Sequence, residues 1–106
     1  MDTYNADSIV ASIIAALIHY PNRPNSDFYV GITDDLNRRL GEHNITRKDC
    51  LRILRATNYD EAHMAESTLI NVYKMTGKVG GGNKDSVWVY CYEITDDTVE
   101  STNNAQ

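Results

Sequence analysis

The chain is short of several features that define particular protein classes. Its 106 residues include only two cysteines, Cys50 and Cys91, both within predicted strands. So few cysteines argue against a disulfide framework or a zinc cluster, and we expect two reduced core thiols. The hydrophobic run at 9–18 is too short to cross a membrane. It follows Asp2 and Asp7 without any lysine or arginine, so we expect no signal peptide, no membrane partner and a cytoplasmic location.

Positive charge is also scarce: the chain has 10 lysines and arginines against 15 aspartates and glutamates, which gives a formal net charge of −5. An acidic surface repels phosphate, which argues against indiscriminate binding of nucleic acid. However, six of the ten basic residues lie in the short stretch 38–55. This stretch is either a local positive face that meets a phosphate backbone or a solvated surface of mixed charge.

Periodicity predicts one α+β domain over 1–95, with no internal repeat or linker, followed by a disordered polar tail at 96–106. Its sheet is small, three-stranded and mostly antiparallel, and helices flank it. The predicted helices are 8–20, capped by Asn5, Asp7 or Ser8 and ended by Pro21; 34–44, capped by Thr33 or Asp34; and 58–76, with Gly77 as its C-terminal cap. The predicted strands are 28–33, 49–57 and 87–94.

The last predicted strand carries apolar or aromatic side chains on both of its faces. Val89 and Cys91 point to one side, and Tyr90 and Tyr92 point to the other. Two covered faces predict a central strand, or an edge strand with both sides covered.

The stretch 29–43, Tyr-Val-Gly-Ile-Thr-Asp-Asp-Leu-Asn-Arg-Arg-Leu-Gly-Glu-His, is the most informative part of the chain. It predicts a buried strand that turns directly into a helix. Leu36 and Leu40 are four residues apart and share one helix face. Arg39 and His43 have the same spacing and flank these leucines, which predicts a site where a strand end meets a helix start.

This stretch resembles the second half of the signature of the GIY-YIG nuclease family. The matching residues are Tyr29, Val30, Gly31, Leu36, Arg39 and His43. The family carries a glutamate on a later helix, and Glu66 lies in such a helix here, before a glycine-rich turn and a final strand. The resemblance covers residues 28–94. It implies a metal-dependent endonuclease that hydrolyses phosphodiesters in DNA, with Mg²⁺ as its cofactor.

The chain departs from this family upstream of residue 28. The family opens with a Gly-Ile-Tyr strand that carries a catalytic tyrosine, and no such sequence occurs here. A helix appears instead, or a strand reduced to 18–20, and Tyr20 is the nearest upstream tyrosine. The alternative is therefore a catalytically inactive GIY-YIG-fold binding module, with its N-terminal helix serving a protein partner.

Glu66 borders the inward stripe of the predicted long helix, which contains Ala62, Ala65 and Leu69. A carboxylate there must be paired, hydrogen-bonded or metal-bound to offset its desolvation. The resemblance implies that Glu66 holds Mg²⁺, which often takes only one or two protein carboxylates. The alternative is an internal salt bridge to Arg39.

The resemblance also implies roles for three residues of the motif. Arg39 would contact the scissile phosphate, unless it pairs with Glu66 or Glu42. Tyr29 would orient or deprotonate the nucleophilic water, unless it is an ordinary core aromatic. His43 would relay a proton or cap its helix.

Further polar residues are candidates for binding the substrate: Arg38, Arg47, Lys48 and Asn83. Asn83 follows three consecutive glycines, whose backbone N–H groups could approach a phosphate if the segment is not simply a flexible turn. Asn71 is the second candidate for the asparagine that the family places after its glutamate. His63 precedes Glu66 by three residues, a spacing that suits either a metal pair or an exposed helix histidine.

Overall fold

The computed structural model describes residues 2–80 and 82–100 of the chain. This part is an α+β domain, as predicted, in which the N-terminal helix precedes all the strands. The helices are α1 (Ala6–Leu17), α2 (Leu36–Glu42) and α3 (Tyr59–Asn71), and the strands are β1 (Phe28–Thr33), β2 (Cys50–Arg55) and β3 (Trp88–Glu93). Short 3₁₀ turns at Asn25–Asp27 and Arg47–Asp49 precede β1 and β2.

The three strands form an antiparallel sheet in the order β1-β3-β2, so the last strand is the central one. Its side chains alternate as predicted. Val89 and Cys91 join the apolar core beneath α1 and α3, whereas Tyr90 and Tyr92 join a second cluster with the leucines of α2. Both cysteines are free thiols, in line with the expectation from the sequence.

A β-bulge in β2 changes which residues share a face. The pairing with β3 shifts register between Cys50 and Arg52. As a result Leu51 packs against the core under α1 and α3, whereas Ile53 packs against the second cluster. An extra residue at a bulge reverses the alternation, which period-two reading of the sequence cannot detect.

Helix α1 is capped by Asn5, one of the three predicted caps, but it spans Ala6–Leu17 and ends three residues before the predicted end at residue 20. The Asn5 side chain accepts a hydrogen bond from the Ser8 N–H at 2.9 Å. The Ala6 N–H is bound by Glu61 Oε1 of α3 at 2.7 Å, which ties the two helices together. The chain forms no strand at 18–20. These residues form a turn directly after the helix, and Ile18 is 69% exposed there.

The cap of α2 differs from the prediction. Asp35, rather than Thr33 or Asp34, accepts the hydrogen bond from the Arg38 N–H, at 3.2 Å. The Thr33 hydroxyl instead accepts from the Asp35 N–H at 3.1 Å. The turn is therefore one residue longer than predicted, because Thr33 still belongs to β1 and pairs with β3.

Helix α3 ends at Asn71, earlier than the predicted end at residue 76 and without Gly77 as its cap. Lys74 adopts a left-handed conformation with φ of 65°. Thr76 then runs beside β1, where its N–H donates to Phe28 O at 3.0 Å and its carbonyl accepts from Val30 N at 2.9 Å. These bonds satisfy backbone groups on the outer edge of β1, a gain that helix periodicity does not reveal.

The tail predicted to be disordered at 96–106 is partly described by the structure. In its first five residues, 96–100, the Val99 N–H donates to the His43 carbonyl at 2.9 Å and the Tyr92 hydroxyl donates to Glu100 Oε2 at 2.9 Å. Residues 101–106 lie outside the described part. Within the described ranges, no helix is long and apolar enough to span a membrane.

Candidate functional site

A cleft of about 250 Å³ opens between the end of β1, the start of α2 and the loop before β3. Tyr29, Arg39 and Glu66 all line it, although they come from a strand and two different helices. Arg38 and Asn83, two of the predicted substrate-binding residues, also lie on its wall. The spacing of the motif thus leads to one site, as we expected for a strand end that meets a helix start.

Tyr90 is a cleft residue that sequence reasoning missed. It lies opposite Gly31 in the antiparallel pairing of β1 and β3. A Cβ on Gly31 would lie 2.6 Å from Tyr90 Cζ, so only glycine leaves room for the phenol ring. The ring of Tyr29 stacks beside it, with centroids 6.3 Å apart. Two phenols therefore enter the cleft, one from each of two neighbouring strands.

Glu66 is the one buried carboxylate of this cleft, and it is only 3% exposed. Its Oε1 atom is buried and has no hydrogen-bond partner. Burial raises the pKa of Glu66 to about 8, against the opposing attraction of the Arg39 charge. Ala62, one turn earlier, and Ala65, the preceding residue, are fully buried. Their small side chains leave room for the Glu66 carboxylate.

Arg39 reaches the cleft from α2, with 11% of its side chain exposed. Its Nη1 donates to Glu42 Oε1 at 2.8 Å, which is one of the two pairings considered from the sequence. Its positive charge also opposes the rise in the pKa of both Tyr29 and Tyr90. Within residues 2–80 and 82–100, no salt bridge joins Arg39 to Glu66. The buried carboxylate therefore remains available to a bound ligand, which would share the guanidinium with Glu42.

His43 lies behind the cleft and is only 1% exposed. Its Nε2 is 2.7 Å from the Tyr90 hydroxyl, and its ring centroid is 4.7 Å from that of Tyr29. Burial lowers the pKa of His43 below its ordinary value, so the neutral ring is favoured. Its backbone also forms the C-terminal cap of α2. The side chain therefore supports the phenols and does not face the open cleft.

The loop around Asn83 forms part of the wall of the cleft. The Asn83 Nδ2 donates to Asp34 Oδ2 at 3.2 Å, and its Oδ1 accepts from the Asp85 N–H at 2.8 Å. Gly82 adopts φ of 79°, and a Cβ there would lie 2.6 Å from Ser86 Oγ. Of the three consecutive glycines, Gly81 lies outside the described residues. The rest is a hydrogen-bonded turn that holds Asn83 beside Asp34.

Several predicted residues lie elsewhere. Arg47 and Lys48 line a separate surface depression next to α2 and do not border the cleft. His63 is half-buried, stacks on Tyr59 at 5.6 Å and has a buried Nδ1 atom without a partner. Tyr20 packs against Phe28 in the core beneath α1 and α3, so it cannot supply a second tyrosine to the cleft. Asn71 is exposed at the end of α3.

Glu66 is the residue that could hold a divalent cation. In the described part of the chain, no group of three or more His, Cys, Asp or Glu side chains is arranged around a metal site. Mg²⁺ does not require such a group, since water and substrate phosphate complete its octahedral coordination. The orphaned Oε1 of Glu66 lies on a cleft that admits solvent, so this donor set fits Mg²⁺ bound through one carboxylate.

The arrangement combines an anion-binding guanidinium, a carboxylate without a partner and two phenols backed by a neutral imidazole. Such a set suits a substrate that carries negative charge, since phosphate can bridge a guanidinium and a carboxylate-bound cation. Comparisons with known proteins add no identification: no family model matches the chain, and neither a curated protein nor a solved structure matches it.

Proposed function

We propose that this chain is a GIY-YIG-like endonuclease that uses Mg²⁺ to hydrolyse phosphodiesters in DNA. The observation that carries the proposal is the convergence of Tyr29, Arg39 and Glu66 on one cleft, with the Glu66 carboxylate unpaired. Arg39 pairs with Glu42 and not with Glu66, so the buried carboxyl group of Glu66 keeps no charged partner of its own among the described residues. A guanidinium and an unpaired carboxyl group beside two phenols favour a site that acts on a phosphate.

Arg39 is the residue that holds the scissile phosphate. Its planar guanidinium can donate several hydrogen bonds, and Glu42 holds it in place. Positive charge positioned there stabilises the negative charge that develops on the phosphoryl oxygens. Arg38 and Asn83 on the cleft wall bind neighbouring parts of the backbone. Arg47 and Lys48 lie outside the cleft, and the proposal assigns them to phosphates further along the duplex.

Tyr90 replaces the catalytic tyrosine that the GIY-YIG family carries in its first strand. The support for this assignment is spatial, since Tyr90 pairs with Gly31 across the sheet and its phenol meets Tyr29 and Arg39. Either phenol can orient the nucleophilic water and take up its proton. Burial raises the pKa of both Tyr29 and Tyr90, which makes their phenolate forms stronger bases once formed.

Glu66 would bind Mg²⁺ directly through its carboxylate. When bound, the cation would neutralise charge on the phosphate and on the departing oxygen. The remaining work falls to protein groups: Arg39 orients the phosphate, and the phenols orient the attacking water. A cytoplasmic location is part of this proposal, to which the free thiols of Cys50 and Cys91 are suited.

The decisive experiment measures cleavage of supercoiled and branched DNA by the wild type, Glu66→Gln and Arg39→Gln, with and without Mg²⁺ or Mn²⁺. We expect metal-dependent cleavage by the wild type and a loss of at least about 100-fold in either variant. Asp60→Asn is the matched control, because Asp60 lies exposed on the first turn of the same helix as Glu66. That variant should cut at the wild-type rate.

Folding and metal binding are measured beside cleavage. Because Glu66→Gln removes a buried carboxylate that lacks a partner, it should raise the midpoint of thermal unfolding in metal-free buffer. Mg²⁺ should then raise the midpoint of the wild type but not that of Glu66→Gln. Failure of the folded wild type to cut any of these DNA substrates would contradict the nuclease proposal.

A second candidate function is a protein-binding module that uses α1. An apolar groove runs between α1 and α3, lined in part by Val10, Ile14 and Met64. Ile18 also lines this groove, and Ile18 and Met64 are 69% and 52% exposed. A contiguous exposed apolar surface of this kind often marks a site of protein interaction. The cleavage assay separates the two candidates, since this function needs neither Glu66 nor Arg39.

A further inference from the structure

Both ring nitrogens of His43 are hydrogen-bonded within the protein. Its Nε2 lies 2.7 Å from the Tyr90 hydroxyl oxygen. Its Nδ1 lies 2.7 Å from the Val99 carbonyl oxygen and 2.9 Å from the Tyr92 hydroxyl oxygen. The side chain is only 1% exposed, so these partners decide which nitrogen carries the proton.

The two neighbours of Nδ1 are both acceptors. A backbone carbonyl such as that of Val99 can only accept a hydrogen bond. The Tyr92 hydroxyl has a single proton, and it donates that proton to Glu100 Oε2 at 2.9 Å. Its oxygen is therefore left to accept from His43. With no donor available on this side, Nδ1 must itself carry the proton.

Nε2 is consequently the unprotonated nitrogen. Burial lowers the pKa of His43, so the ring keeps one proton and not two. Nε2 then accepts from the Tyr90 hydroxyl, whose proton points away from the cleft. The Arg39 guanidinium lines the same cleft and opposes the rise in the pKa of Tyr90. The phenolic oxygen thus has a free lone pair for a water bound in the cleft.

We propose that residues 95–100 form a positioning segment of the site, in which the Val99 carbonyl fixes the tautomer of His43 and thereby the direction of the Tyr90 hydroxyl. The segment is joined to His43 in both directions, because the Val99 N–H donates to the His43 carbonyl at 2.9 Å while Nδ1 donates to Val99. Val99 and Glu100 are positioning residues, since neither lines the cleft.

The catalytic consequence of this tautomer rests on the proposed nuclease function. As water attacks the phosphorus, its proton passes to the Tyr90 oxygen while Tyr90 passes its own proton to Nε2 of His43. The imidazolium that forms keeps its Nδ1 proton on Val99. The new P–O bond replaces the bond to the leaving oxygen, which departs with its electron pair and takes a proton from solvent. The opposite tautomer offers Tyr90 no acceptor.

The test is direct detection of the His43 tautomer in the full chain labelled with ¹⁵N. A two-bond proton–nitrogen NMR correlation distinguishes protonated from unprotonated ring nitrogens, and the His43→Gln spectrum identifies the signals of His43. We expect a protonated Nδ1 and an unprotonated Nε2 in the wild type at neutral pH. A protonated Nε2 would overturn the proposal.

Val99→Pro and Val99→Ala form a matched pair of variants. Proline removes the N–H that anchors the segment to His43, whereas alanine keeps the backbone and changes only a side chain that is 45% exposed. We expect Val99→Pro to lose the Nδ1-protonated signature and to lower kcat for DNA cleavage about 10-fold or more, with KM unchanged. Val99→Ala should match the wild type in both measurements.

The outcomes separate this inference from the proposed function. A Val99→Pro variant that folds and retains the wild-type His43 signals overturns the positioning role, and if it does not fold the wild-type spectrum alone decides. A chain with the expected tautomer that cuts no DNA overturns the nuclease proposal and supports the tautomer assignment. A chain that cuts DNA with Nε2 protonated overturns the positioning role alone.

Discussion

At the scale of single residues, the site depends on Gly31 having no side chain. The phenol of Tyr90 occupies the space where a Cβ would stand. Spacing predicted the directions of Arg39 and Glu66 on their own helices, and the resemblance to the GIY-YIG family implied that they belong to one site. Spacing could not place Tyr90, since its position opposite Gly31 depends on the register between two strands far apart in the sequence.

Substituting Gly31 by alanine should damage the site and the fold together. The added methyl group would lie 2.6 Å from Tyr90 Cζ, so the phenol must shift, which disturbs its hydrogen bond with His43 Nε2. We expect the free energy of unfolding to fall by about 1–3 kcal/mol and DNA cleavage to fall with it. Chemical denaturation and the cleavage assay measure the two effects.

Gly41→Ala is the matched control for that substitution. A Cβ on Gly41 meets nothing within 4 Å, and the residue lies in α2. Alanine should therefore raise the free energy of unfolding by about 0.5–1 kcal/mol and leave cleavage unchanged. If Gly31→Ala also kept its stability and its cleavage rate, the close packing of Tyr90 against Gly31 would not matter for folding or for cleavage.

At the scale of elements, periodicity predicted every helix and strand, and the errors lie at their ends. Helix α2 is capped one residue later than expected, at Asp35. Helix α3 stops at Asn71 because the following residues gain hydrogen bonds along β1. The bulge near Leu51 and the ordered contacts of residues 96–100 also depend on tertiary partners. None of these features leaves a local sequence signal.

Helix α3 carries Glu66, and its first turn is capped by the Asn58 side chain, which accepts from the Glu61 N–H at 3.0 Å. Asn58→Ala should lower the free energy of unfolding by about 1 kcal/mol. Cleavage measured well below the midpoint of unfolding should stay at the wild-type rate, because Glu66 lies two turns further along. Asn5→Ala, which removes the equivalent cap of α1, should give a similar loss of stability.

A selective loss of cleavage in Asn58→Ala, without a loss of stability, would contradict this account. It would mean that the N-terminal turn of α3 acts on the site and does not merely begin the helix. Urea denaturation followed by circular dichroism gives the stability, and the initial rate of plasmid nicking gives the activity.

At the scale of the whole molecule, the pH dependence of folding reflects two buried groups of opposite effect. His43 keeps a pKa below its ordinary value of 6.5, so the unfolded chain takes up a proton that the folded chain refuses. Its contribution to stability is present above pH 6.5 and is lost as the pH falls through the folded pKa. Glu66, with a pKa raised from 4.5 to about 8, loses its contribution as the pH rises through that range.

The difference between the wild type and His43→Gln isolates the histidine. Between pH 8 and pH 5, the free energy of unfolding of the wild type should fall relative to that of the variant, by at most about 1.4 kcal/mol per pH unit below pH 6.5. Equilibrium denaturation at a series of pH values measures this difference. His19→Gln, at an exposed histidine, is the control and should follow the wild type. Parallel curves for the wild type and His43→Gln would show that His43 charges freely in the fold.

The central position of β3 has a consequence for how the molecule is made. Both of its neighbours, β1 and β2, precede it in the chain and depend on it for their pairing. During translation the ribosome delivers these two strands first, and they cannot pair through β3 until that strand emerges. Tyr90, Val99 and Glu100 emerge with or after it, so a nascent chain acquires its sheet and its cleft together, only once β3 has emerged.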